Sequence, residues 1–141
     1  MPVTQEPDDG WWCMSFDGAA SKKGAGAGIS IRPLVGEPEL LSYKLDFKCT
    51  NNVSKYEALI LGLRALKDLQ AQRIDIQRDS ELVIKQVQGS YLAKHPRLIS
   101  YRNLVLDLME GFKQCQYTVI LRSENSEADA LAVSASLSHV P

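Results

Sequence analysis

Trp11-Trp12-Cys13-Met14-Ser15-Phe16-Asp17-Gly18 is an apolar run that ends on an aspartate and a glycine, and its reading decides the fold. Continuous apolar character from Trp11 to Phe16 predicts a strand buried on both faces, closed by Asp17. Downstream, Ser21-Lys22-Lys23-Gly24 predicts a turn and Ala25 to Arg32 a second strand, with Ile29 and Ile31 alternating. Pro33 to Pro38 predicts another turn and Leu40 to Lys48 a third strand. Turns this short favour antiparallel hairpins. Tyr56, Leu59, Ile60, Leu63 and Leu66 then recur at helical spacing, with Arg64, Lys67 and Asp68 on the other face. Arg73 to Gln77 reads as a fourth strand, and Ser80 to Gln88 as a helix broken by Gly89-Ser90. Pro96 opens a helix to Phe112, Gln116 to Leu121 is a last strand, and Asn125 is the expected N-cap of a helix through Ala135. The order βββ-α-β-α-α-β-α predicts an α/β domain built on a mixed five-stranded sheet covered by helices.

At 141 residues and 45% hydrophobic content, the chain can bury a core without disulfides or structural metals. The domain is expected over 11–138, after a polar lead-in or linker at 1–10 and before a short tail at 139–141. A net charge of −1 argues against strong autonomous nucleic-acid binding, though not against a substrate delivered by a tethered neighbour. Cys13, Cys49 and Cys115 are odd in number and widely spaced, so free thiols in a reducing compartment are expected. The N-terminus lacks a signal-like apolar run and no stretch reaches membrane-span length, which predicts an intracellular location, cytoplasmic or nuclear.

Three aspartates stand where one element hands over to the next: Asp17 after the first strand, Asp79 after the fourth, and Asp129 in the first turn of the last helix. Alone, each would read as a turn residue, a helix cap or a solvent-facing acid. If the first and fourth strands are parallel neighbours, all three carboxylates reach one carboxyl edge, where open α/β sheets place their sites. Carboxylates without histidine or thiolate suit hard cations such as Mg²⁺ or Mn²⁺.

The words Phe16-Asp17-Gly18-Ala19, Thr50-Asn51-Asn52, Tyr56-Glu57-Ala58-Leu59-Ile60, Asp79-Ser80-Glu81-Leu82-Val83 and Glu127-Ala128-Asp129-Ala130-Leu131-Ala132, in this order, resemble the ribonuclease H family. They are most similar to the ribonuclease H domains of plant gypsy-type LTR retrotransposon polyproteins. The resemblance covers Trp11 to Ser138 and implies a ribonuclease H-like fold with strand order 3-2-1-4-5. It also implies two-metal cleavage of the RNA strand of an RNA–DNA hybrid, with Asp17, Asp79 and Asp129 as metal ligands. The implied partners are the hybrid and a reverse transcriptase domain in the same polyprotein, with the domain itself a monomer.

The family's fourth acidic ligand falls on Lys55. Glu57 is no substitute, because two residues along a helix turn about 200°. A protonated lysine cannot ligate a metal, and it offsets the repulsion among the carboxylates, so Mg²⁺ or Mn²⁺ binding is expected to weaken and catalysis to be poor or absent. Alternatively, Lys55 snorkels to solvent and the aspartates still hold one ion. Arg78 either neutralises Asp79 or faces solvent, with solvent expected.

Thr50, Asn51 and Asn52 precede a helix N-terminus, where phosphate binding and plain capping are both open readings. Gly18 to Ser21 are small enough for a nucleic-acid backbone to approach. No cluster of cations is visible along the chain, which predicts weak, salt-sensitive binding. A non-catalytic binding module derived from a retroelement is the alternative to a nuclease.

Overall fold

The computed structural model describes residues 10–48, 50–78 and 96–137. Asp79, Cys49, His95, the helix expected over 80–88 and the tail at 139–141 lie outside them. Five strands, β1 (Trp11–Ser21), β2 (Gly24–Arg32), β3 (Glu39–Leu45), β4 (Arg73–Arg78) and β5 (Gln114–Val119), form one sheet in the order β3-β2-β1-β4-β5. The described helices are α1 (Asn51–Asp68), α2 (Pro96–Met109) and α3 (Ser126–Ser136), the last preceded by a 3₁₀ turn, Arg122–Asn125. No described helix is long and apolar enough to cross a membrane.

The expected sheet order holds, and β1 is central to it. It pairs antiparallel with β2 from Cys13↔Arg32 to Ser21↔Gly24, and parallel with β4 from Trp11↔Arg73 to Ser15↔Gln77. Asp17 therefore does not close the strand, as the sequence suggested. It lies inside β1, opposite Gly28, just where β1 parts from β4 while still bonded to β2. The apolar run predicted the strand's start; its end is set by the glycine- and alanine-rich partner strand, whose small residues carry no periodic signal.

One face of the sheet carries the core. Met14 lies between Ile31 of β2 and Ile76 of β4, and the next row joins Ile29 to Phe16; all five are fully buried. Onto these rows α1 lays Tyr56, Leu59, Leu63 and Leu66, also fully buried. Truncating one of these leucines to alanine costs about 2–5 kcal/mol. The approach is close: a Cβ on Gly18 would lie 2.3 Å from the Ser54 carbonyl carbon and 2.4 Å from the Lys55 nitrogen. Gly18 thus seats α1 on β1, a packing role the sequence reading did not give it. On the opposite face α3 sits equally tight over β2, where a Cβ on Gly28 would meet the Ala128 carbonyl oxygen at 2.2 Å.

Candidate functional site

Where β1 leaves β4, four elements converge on a cleft of about 190 Å³. Its walls are Asp17, Gly18, Ala19 and Ala20 of β1, Asn51 and Lys55 of α1, Arg122 of the 3₁₀ turn and Asp129 of α3. Asn51 and Lys55, four residues apart, share one helix face. The Ala20 N–H donates to Asn51 Oδ1 at 3.0 Å and ties the strand to the first turn of α1. Thr50 is the N-cap of α1: its Oγ1 accepts from the Val53 N–H at 3.2 Å, which orients the whole first turn.

Asp17 is 6% exposed and firmly held. Its Oδ1 accepts from the Gly18 N–H at 2.8 Å and from Arg78 Nη1 at 2.8 Å. Arg78 Nη1 also donates to the Phe16 carbonyl at 2.7 Å, and the guanidinium carbon lies 4.9 Å from the centre of the Phe16 ring. Arg78 is fully buried, which corrects the expectation that it faces solvent. The signal was there: Ile74, Ile76 and Arg78 share one strand face by alternation, and the first two are core. Asn125 is likewise redirected. It occupies the N-cap position of α3 without a capping bond; instead its buried Nδ2 donates to the Phe16 carbonyl at 3.1 Å and anchors the 3₁₀ turn to β1.

Of the residues singled out from sequence, the cleft joins Asp17, Gly18, Asn51, Lys55 and Asp129, and Arg122 enters as an addition. Glu57 points elsewhere, accepting from the Tyr101 hydroxyl at 2.6 Å, in keeping with its rejection as a ligand. Tyr101 stacks on Tyr56 with ring centroids 5.8 Å apart, which clamps α2 onto α1. Burial and the Glu57 bond push the Tyr101 hydroxyl up to about 12. Burial also raises the Cys13 and Cys115 thiols, which makes them poor nucleophiles.

Ser21 and Thr50 line a second, larger cleft of about 710 Å³ beside the first. Lys22, Lys23, Lys44, Lys48 and Arg97 surround it with Phe47, against a single carboxylate, Asp46. This groove overturns the expectation that the chain has no cluster of cations. Its members come from the β1–β2 turn, the end of β3 and the start of α2, so only the fold assembles them.

The described residues do not fit the pair of cations implied by the resemblance. Among them no three His, Cys, Asp or Glu side chains are grouped to hold a metal ion. Asp17 and Asp129 share the cleft with Lys55 and Arg122, and Arg78 is bonded to Asp17 from beneath, so two carboxylates meet three cations.

Sheet order, helix placement and a cleft at the carboxyl end of β1 define the ribonuclease H-like class of α/β domains. A family model described as "Reverse transcriptase-like" matches residues 15–135. Ribonuclease HI of Halobacterium salinarum is 33% identical over 119 residues, 83% of this chain and 60% of that protein. An uncharacterized protein of Bacillus subtilis, YpeP, is 35% identical over 137 residues, 92% of this chain and 60% of its own length. The chain thus spans about three-fifths of these curated relatives. Among solved structures, RNase H1 from Halobacterium salinarum superposes with a TM-score of 0.84 at 32% identity, over 89% of this chain and 97% of that one. LC11-RNase H1, solved in complex with an RNA/DNA hybrid, gives 0.79 at 27% identity, over 87% and 94%. The chain belongs to the ribonuclease H family.

Proposed function

We propose that this ribonuclease H-type domain binds RNA–DNA hybrids and cleaves their RNA strand weakly or not at all. The observation that carries the reading is the juxtaposition of Lys55 with Asp17 and Asp129 in one cleft. Cleavage by the family reaction uses Mg²⁺ or Mn²⁺. Asp17, Asp129 and Asp79, the last outside the described residues, are the proposed ligands, and Lys55 brings an ammonium into the cleft that Asp17 and Asp129 line. Binding is assigned to the neighbouring groove. Thr50 and Ser21 line it, Asn51 borders it through the cleft, and its five cations suit a phosphate backbone. Asn52 follows on the same helix turn. The domain is proposed to span 11–138, to act as a monomer, and to derive from a retrotransposon polyprotein that also carries a reverse transcriptase domain.

The test is cleavage of a labelled hybrid in Mg²⁺ and in Mn²⁺ by the parent and by Lys55→Glu. An inert or slow parent with a variant that is only slightly faster is expected. A fast parent would overturn the reading of Lys55. If neither cuts yet both bind the hybrid, the alternative takes over: a non-catalytic module retaining the family's binding face, which the contrast between a charge-compensated cleft and a basic groove already favours.

A further inference from the structure

We infer that Arg78 is the resident counter-ion of Asp17, a guanidinium built into the core where the family reaction calls for a divalent cation. Lys55 and Arg78 are both cations near Asp17, but they differ in kind. Lys55 lines an open cleft on a flexible stem, and an incoming ion can displace its head toward solvent. The Arg78 side chain is 0% exposed and that of Asp17 8%. One nitrogen, Nη1, bonds both Asp17 Oδ1 and the Phe16 carbonyl, and the guanidinium is stacked on the Phe16 ring. It extends the core rows of β4, one step past the last β1–β4 pair, so it cannot leave without opening the packing between α1 and the sheet.

The consequences follow from charge and valence. Asp17 Oδ1 already accepts two hydrogen bonds, from Gly18 N–H and from Arg78, which saturates the lone pairs of that oxygen. A divalent ion taken up by the other carboxylate oxygen would stand a few ångströms from a fixed positive charge in a poorly solvated place, where repulsion is weakly screened. Arg78 is thus the deeper of two barriers, and a glutamate at position 55 does not remove it. The inference rests on this geometry and not on hybrid binding.

Mn²⁺ binding followed by electron paramagnetic resonance, with thermal midpoints in EDTA and in Mg²⁺, tests it without any cleavage assay. The parent is expected to show the free-ion spectrum and the same midpoint in both buffers. Lys55→Glu alone should tighten Mn²⁺ binding by no more than about threefold, whereas adding Arg78→Ser should tighten it by about a hundredfold. The double variant should also gain a midpoint that rises with Mg²⁺, and Asp17→Asn in that background should abolish both effects. A folded double variant that stays indifferent to metal overturns the inference. Should that variant fail to fold, the single one decides: a hundredfold gain with Arg78 still in place overturns it, and the expected small gain upholds it.

Discussion

The carboxylate cleft and the basic groove share a border yet differ in how their charges are balanced. The border runs between Ala20 and Ser21 on β1 and between Thr50 and Asn51 on α1, and the Ala20–Asn51 hydrogen bond closes it. On the cleft side Asp17 is paired with the buried Arg78, and Asp129 lines the same space as Lys55 and Arg122. On the groove side five cations face one carboxylate. On the proposed reading, the groove's surplus of cations over carboxylates would hold a polyanion, and the mixed charges of the cleft would hinder its cutting. A net charge of −1 conceals the groove, because its surplus cations are offset by acids elsewhere in the chain.

The contrast can be broken most forcefully from the cleft side. Asp17→Ala would remove the carboxylate of the buried Asp17–Arg78 pair, and urea unfolding should show a loss of about 3–5 kcal/mol. A loss near zero would mean the pair is not structural. Gly18→Ala comes next, at about 1–3 kcal/mol, because the new methyl group meets the α1 backbone rather than a flexible side chain. A variant that kept its stability and lost only hybrid affinity would return Gly18 to a substrate-facing role.

Groove substitutions should behave in the reverse way. Lys22→Glu with Lys23→Glu is expected to weaken hybrid binding about tenfold or more and to flatten its salt dependence, with stability changed by less than about 0.5 kcal/mol. Unchanged affinity would detach the groove from binding. The smallest effect is Tyr101→Phe, about 1 kcal/mol at neutral pH from the lost bond to Glu57. Its alkaline behaviour sharpens the test. Tyr56, Tyr101 and Tyr117 are each raised to about 12, so their contribution is complete below the ordinary tyrosine value near 10 and is lost as pH climbs through about 12. Unfolding curves between those limits should fall less steeply for Tyr101→Phe than for the parent.

The strands and their hairpin directions were legible because that information is local and periodic, in apolar runs, short turns and one helical stripe, whereas the full strand order was available only through the family resemblance. Lys55 and Asp129 were legible for a related reason, since the words around them fix their places on helix turns. Arg78 was misread despite a usable pattern, because a charged residue was assumed to seek water when strand alternation placed it inside. Asn125 does stand at the N-cap position of α3, but its side chain is not used for capping, for a different reason: the Phe16 carbonyl that engages it is 109 residues away. The groove was illegible altogether, for its lysines lie in separate segments and become neighbours only through hairpin pairing.

The most direct test of a cleft that is compensated beside a groove that binds is one incubation of the parent protein with a labelled RNA–DNA hybrid, read for both complex and cleavage, in Mg²⁺ and in EDTA. The expected result is a complex of equal affinity in the two buffers with its RNA strand left intact. Rapid multiple-turnover cutting in Mg²⁺, with binding lost in EDTA, would contradict it.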